Sequence, residues 1–433
     1  MTILVVKFLA VFLLYGCANL PISNGSKHAI HEATKVRAIA AAGPLRINAL
    51  NPRYFTDGSG RAIYLTGSHH WNNLVDQSGN RDFEFGAYLD FLVTRKHNFI
   101  RLWTKENTAP GPDPSLADNR PLPYQRSGPQ MALDGKPRFD LTKFNPAYFE
   151  RLRSRVMQAG ARGIYVMVML FHGFHVHHKG GSRKNPWPSH PFNSANNINA
   201  IDGDADGNGE GEEVHTLRIP AVTRIQEAYV RKVVDTLNDL DNVLYEISNE
   251  SHRKSIEWQY HLIRFIREHQ SKKSKQHPVV MTFMWDGESD EGNDDNAALF
   301  ASPAEAISPG VGPQAEYQRD PPPADGSKII ISDSDHLGLM DEDWVWKSFL
   351  RGLNPILMDH IEDPKREPVR RAMGQTLTVA KRINLVKMFP RKDLASSGYC
   401  LANPGVEYLV YLPSNQQDEP RTLLPHSSWL SLR

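Results

Sequence analysis

Val243-Leu244-Tyr245-Glu246-Ile247-Ser248-Asn249-Glu250 decides the fold. Apolar residues fall on both parities of this run, so a strand formed here is covered on both faces. Two helical patterns flank it, Ala221 to Leu240 and Ile256 to His269. A doubly covered strand between helices belongs to a parallel sheet wrapped in helices.

Working outward, the same alternation recurs. Ile63–Gly67 reads as the first strand, followed by a helix from about Phe83 to Lys96. Phe99–Trp103 is the second strand and Ile164–Phe171 the third, with a helix from Tyr148 to Gly160 between them. Beyond the opening stretch, Pro278–Trp285, the short Ala306–Ser308, Lys328–Ser332 and Pro355–Met358 complete eight. Asp363-Pro364 opens the last helix as a cap followed by proline. Eight such units predict an α/β protein of the (β/α)₈ TIM-barrel class. An open doubly wound sheet is the second choice; no glycine-rich phosphate turn follows the first strand. Gly398–Ala402 and Glu407–Leu412, around Asn403-Pro404-Gly405, predict a short C-terminal β-hairpin that either packs on the barrel or dangles.

In such a barrel the chemistry lies where the strands end. Seven of the eight predicted ends carry polar, aromatic or ionisable residues: His69-His70-Trp71-Asn72, Arg101 and Trp103, His172, Asn249-Glu250, Trp285-Asp286, Asp333-Ser334-Asp335-His336, and Asp359-His360. Core packing does not explain that many, because unpaired buried polar groups are costly. Glu250 and Asp333 or Asp335 end strands four and seven, on opposite sides of the rim. A pair of carboxyls there suits glycosidic cleavage, one protonated to assist the leaving oxygen and one ionised to attack carbon or activate water. Asn249, Arg101, His172, His69, Trp71, Trp285 and His336 are the candidate substrate contacts. Arg101 is the one more suited to orienting a carboxylate.

Val243–Glu250 resembles the fourth strand of the clan A, cellulase-like glycoside hydrolases, where an Asn-Glu pair ends the strand. Asn51–Phe55 with Tyr64–Ser68 is similar to that superfamily's first strand, and Arg101 matches an arginine often found on its second. The resemblance spans residues 46–390 and implies an O-glycosyl hydrolase with Glu250 as acid/base. It also implies a Glu nucleophile ending strand seven, where this chain has aspartates. Asp333 follows Ser332 where the pattern expects the nucleophile and is the first choice; Asp335 is the second. The shorter side chain leaves retention, inversion and a non-catalytic, carbohydrate- or matrix-binding surface lipoprotein all open. Ser397–Pro413 resembles the start of a collagen-binding β-sandwich, cut short.

Asp202-Gly203-Asp204-Ala205-Asp206-Gly207-Asn208-Gly209-Glu210-Gly211-Glu212-Glu213 carries acidic residues at positions 1, 3, 5, 9 and 12 and glycine at 6. That is calcium-loop spacing. It predicts a structural calcium on Asp202, Asp204, Asp206, Asn208 and Glu213, while the chemistry needs no cofactor. The cluster His172, His175, His177 and His178 raises a weaker metal-hydrolase alternative.

With 50 Lys and Arg against 49 Asp and Glu, no global field favours nucleic acid or an acidic surface. A neutral oligo- or polysaccharide is the expected partner. Lys7 and the apolar run Phe8–Leu14 before Gly16-Cys17-Ala18 are too short to span a membrane and predict export. Leu14-Tyr15-Gly16-Cys17 resembles a lipobox, so residues 1–17 read as signal and 18–45 as tether, the protein being a lipoprotein of the cell envelope or secreted. Membrane contact is then only through the lipid. Residues 46–395 form the barrel and 396–433 the β tail.

Overall fold

The computed structural model describes residues 2–7, 41–77, 83–109, 119–176, 178–180, 184–287, 296–338 and 340–413. Eight parallel strands form the barrel: β1 (Gly67–His69), β2 (Phe99–Leu102), β3 (Tyr165–His172), β4 (Val243–Asn249), β5 (Val279–Thr282), β6 (Ala306–Ser308), β7 (Ile329–Asp333) and β8 (Asn354–Met358). They pair in the order β1-β8-β7-β6-β5-β4-β3-β2. The seam between β1 and β2 is closed by Asn98 rather than by a ladder. Its backbone N–H donates to Thr66 O and its side-chain oxygen accepts from Thr66 N, both at 3.0 Å. Gly67 lies on that seam because a Cβ there would sit 2.3 Å from Phe99 O.

The strands' two faces have different fates. Val166, Val168, Val243, Tyr245, Val279 and Ile330 point outward to the helices Pro146–Gly160, Pro220–Leu237, Ile256–Ser271 and Glu367–Ala380. Phe99, Met167, Leu244, Val280, Ile329, Ile331 and Ile356 point inward, over a floor made by Leu45 and Phe55. With the two-residue period of a strand, the next inward layer toward the rim is Arg101, Glu246, Thr282 and Asp333. The barrel interior is therefore apolar below and ionisable above.

The predicted strand β1 starts later than expected, at Gly67, because the β8 ladder reaches only Gly67–His69. An antiparallel hairpin missing from the sequence reading, Tyr124–Met131 with Pro137–Phe144, follows β2. The C-terminal hairpin, Cys400–Asn403 with Glu407–Leu412, packs on the barrel instead of dangling. Tyr411 stacks on Trp346 at 5.9 Å and bonds Asp343, and Tyr399 donates to Asp320 at 2.7 Å. Phe389–Pro390 and Thr2–Lys7 extend this sheet to four strands. Cys17 and His177 lie outside the described residues. No helix among the described residues is long and apolar enough to cross a membrane.

Candidate active site

Arg101, fully buried in the upper layer, organises the mouth. Its Nε donates to Glu246 Oε2 at 2.7 Å, and its Nη2 bonds Glu246 Oε1 and donates to Asn249 Oδ1 at 2.6 Å. Its Nη1 donates to Asp335 Oδ2 at 2.9 Å and reaches Asp333 Oδ2 at 3.4 Å. Burial alone opposes its charge, but Glu246 first, then Asp333 and Asp335, hold it firmly cationic. Three carboxylates, Glu246, Asp333 and Asp335, contact this one guanidinium and Glu250 lies beside Asp335, so the crowding favours a proton on one carboxyl.

Glu250 carries that proton most readily. It is 7 % exposed, and burial followed by the charge of Asp335 pushes its carboxyl well above the usual range. Asn249 Nδ2 donates to its Oε2 at 3.3 Å. Its φ of +45° lies in the left-handed region that non-glycine residues avoid. The conformation is clamped from outside. Lys179 Nζ donates to Glu250 O at 2.9 Å and also to Trp285 O, Trp285 N donates to Ser251 O at 3.0 Å, and Gly173 packs so closely that a Cβ would stand 2.3 Å from Glu250 O. Strain of this kind persists where the surroundings over-determine it, commonly at working sites.

The two strand-seven aspartates separate cleanly. Glu250, Asp335 and His336 offer side-chain atoms that all lie within 4.8 Å of one another. Asp335 is pushed up to about 6, by burial first, with Asp333 adding to the rise and Arg101 opposing it. Asp333, the first choice from sequence, is fully buried and spoken for. Its Oδ1 accepts from Asp335 N and pairs with His69 Nε2, both at 2.9 Å, and Arg101 attends Oδ2. Burial would raise its carboxyl, but its hydrogen-bonded contact with His69 and the charge of Arg101 hold it well below the usual range. Trp103 Nε1 can only donate and lies 2.8 Å from His69 Nδ1, so the His69 proton is on Nε2, facing Asp333. His69 and Arg101 thus orient carboxylates, and neither ring nitrogen of His69 is left for a substrate.

His336 bonds Ser308 Oγ through Nδ1 at 3.0 Å and Asn249 Oδ1 through Nε2 at 3.2 Å; burial lowers it to about 3, so it is neutral. His172 is buried, packs on His175 at 4.2 Å between centroids, and is held well below its ordinary value by burial and then by His175 and Lys105. Its Nδ1 has no partner among the described residues. Trp71 and Trp285 are half-buried; Trp71 meets His360 edge-on at 4.9 Å and Trp285 lies 5.4 Å from Phe174. Among the described residues no metal-capable cluster includes His172, His175 or His178.

Besides Glu246 and Lys179, further contributors escaped the sequence reading. Lys105 is 7 % exposed, 5.9 Å from the Trp103 ring centroid, and has no hydrogen-bond or ion-pair partner among the described residues. Burial lowers it to about 8 while Asp335 opposes the shift. Glu106 accepts from His172 N at 2.5 Å and lies 3.2 Å from His215 and 3.6 Å from His190. Burial notwithstanding, those histidines keep it ionised. Lys105 and Glu106 directly follow β2, and closeness to that strand's end could have flagged them; His190 and His215 come from two later loops and carry no such signal.

In the acidic loop, Asp204, Asp206 and Glu213 bring carboxylate oxygens within 4.8 Å of one another. Asp202 instead accepts from Asp204 N at 3.2 Å and Ser194 Oγ at 3.0 Å, and the Asn208 side chain accepts from Glu210 N at 2.8 Å.

A family model described as a domain of unknown function, DUF6298, matches residues 117–289, a stretch containing the acidic loop, Glu250 and Trp285. No curated protein matches the chain. Among solved structures, a Bacteroides vulgatus protein provisionally assigned as a glycoside hydrolase is 14 % identical with a TM-score of 0.52, covering 88 % of this chain and 71 % of its own. A glycoside hydrolase family 5 protein of the same organism is 13 % identical with a TM-score of 0.50, covering 84 % and 79 %. At that identity the likeness is one of architecture, and the chain has the barrel fold of family 5 glycoside hydrolases.

Proposed function

We propose that this chain is a retaining O-glycoside hydrolase, with Glu250 as acid/base and Asp335 as nucleophile. The observation that carries the reading is the pair itself: carboxyl oxygens within 4.8 Å across the mouth, in surroundings that favour a proton on Glu250. Retaining enzymes hold their carboxyls about 5–5.5 Å apart, and inverting ones about 6.5–9.5 Å. The position of Asp335 two residues beyond the strand end supports its reach toward Glu250 despite the shorter side chain.

In the reaction, Glu250 gives its proton to the glycosidic oxygen as that oxygen leaves, while an Asp335 oxygen bonds the anomeric carbon. Water then attacks the same carbon, losing its proton to Glu250, and the Asp335 ester bond breaks. Arg101 keeps Asp335 ionised and aimed, and Asp333 with His69 keeps Arg101 in place. Asn249 Nδ2 has a second hydrogen available for a sugar hydroxyl beside the reacting carbon. Lys105 Nζ, with no protein acceptor among the described residues, suits a substrate oxygen. Trp285 with Phe174 suits the face of a sugar ring. Export, with lipid attachment at Cys17, accompanies the proposal and is supported by the apolar run before that cysteine; cleavage there would remove Thr2–Lys7 from the C-terminal sheet and leave its other three strands.

A panel of aryl-glycosides turned over by the wild type, Glu250→Gln and Asp335→Asn tests the reading. Loss of turnover in both variants, with fold intact by circular dichroism, is the expected result. Equal turnover by either variant removes that residue from the mechanism.

A further inference from the structure

The second carboxylate cluster lies outside the barrel mouth, and nothing in the glycosidase reading uses it. Three of its residues occupy positions 3, 5 and 12 of the twelve-residue loop: Asp204, Asp206 and Glu213. Asp206 is exposed, Asp204 half-buried, and Glu213 only 1 % exposed. Glu213 Oε1 accepts from Arg218 at 3.1 Å, but its Oε2 is buried with no partner among the described residues. A carboxylate oxygen taken out of water without a donor or cation is unfavourable.

The loop is built around that point rather than splayed by repulsion. Asp204 accepts from Asn208 N at 3.1 Å and Gly209 N at 2.8 Å, and Asp206 accepts from Asn208 N at 3.1 Å. Gly207 and Gly211 turn the chain at φ of 72° and 67°. Gly211 also presses on Trp187, whose ring would lie 2.1 Å from a Cβ. The loop then enters the turn Glu212–His215, whose contacts run directly to the residues after Glu250. Glu212 O accepts from His252 Nε2 at 2.8 Å, and His215 Nδ1 bonds Ser251 Oγ at 3.0 Å.

We infer that residues 202–213 form a calcium site, with Asp204, Asp206 and Glu213 as carboxylate ligands and the Asn208 carbonyl at position 7. The donors are all oxygens, which selects a hard cation over a transition metal. A flexible loop with glycine at position 6 and a carboxylate at 12 suits the larger, less demanding calcium ion over magnesium. The ion satisfies Glu213 Oε2 and fixes the turn that supports Ser251 and His252. It takes no part in bond cleavage, so the site stands whether or not the chain is a glycosidase.

The test uses the full chain, stripped with EDTA, and calcium chloride as the probe. Calorimetry should give one calcium per chain, and thermal unfolding should rise with calcium concentration but little with magnesium at equal concentration. Terbium at the same site should luminesce on excitation of Trp187, and calcium should quench that signal. Asp206→Asn, at an exposed position, should weaken calcium binding at least tenfold while folding normally, and Glu213→Gln should weaken it at least a hundredfold. Absence of any calcium response in folded wild type overturns the proposal. So does a response that survives both loop variants, or one lost in Asp335→Asn, which would move the ion to the barrel mouth.

Discussion

Among the described residues, two groups of acidic side chains bring oxygens within 4.8 Å of one another, and they are balanced in opposite ways. At the barrel mouth the counter-charge is part of the chain: Arg101 is buried between Glu246, Asp333 and Asp335. In the 202–213 loop, Arg218 reaches Glu213 Oε1 from the surface and leaves Oε2 unmet. The first group is preorganised whatever the solution contains, as a site stabilising a charged transition state needs to be. The second leaves one oxygen without a partner among the described residues, which under the proposed calcium site the solution supplies.

The largest effect that sharpens the contrast is on turnover. Glu250→Gln should cost about 100- to 10,000-fold in kcat, the usual worth of a positioned acid/base, measured on whichever aryl-glycoside the wild type cleaves best. Next, Arg101→Met strands buried carboxylates without their partner and should destabilise the fold by about 3–5 kcal/mol in a denaturant titration. Only a small loss there would break the comparison, because the mouth would not depend on its built-in cation. The loop should respond to solution instead. At calcium one hundred times its dissociation constant, the wild type should gain about 2.7 kcal/mol that Glu213→Gln does not. Lys105→Met should lower kcat/KM by about tenfold, the scale of one hydrogen bond from a charged donor, with no change in stability of the same size.

The smallest effect is the shape of the pH profile. Asp335 attacks only when ionised, so kcat/KM should climb as pH rises through about 6. Glu250 donates only when protonated, so activity should fall again where that carboxyl, raised well above the usual range, loses its proton. The two limbs belong to the pair jointly, because each charge shifts the other. An acid limb at the ordinary aspartate value would argue against a buried, crowded Asp335.

Local patterns made much of this legible. β3 and β4 are read directly from runs apolar on both parities, and even short β6 falls at Ala306–Ser308 as expected. Glu250 is visible because it follows Asn249 at the end of such a run. The acidic loop is visible because all of its carboxylates lie within twelve residues. The different surroundings of Asp333 and Asp335 were not legible, since a two-residue period gives both the same direction. That period stops at Asp333, where the strand ends and its carboxylate caps the short helix Ser334–Leu337, so the chain beyond aims Asp335 by a different rule. Nor does any local spacing join Glu106 to His190 and His215, which meet only in the folded chain. The hairpin at 124–144 did carry a signal, the Asp134-Gly135 turn with Gly135 at φ 72°, between runs that are too polar to announce strands.

The stereochemistry of the first-formed product tests the central claim most directly. Proton NMR during hydrolysis of an aryl-glycoside, recorded before the sugar mutarotates, reads the anomer released. Attack by Asp335 followed by water predicts the same anomeric configuration as the substrate. Release of the opposite anomer would mean that water attacks directly, contradicting Asp335 as the nucleophile.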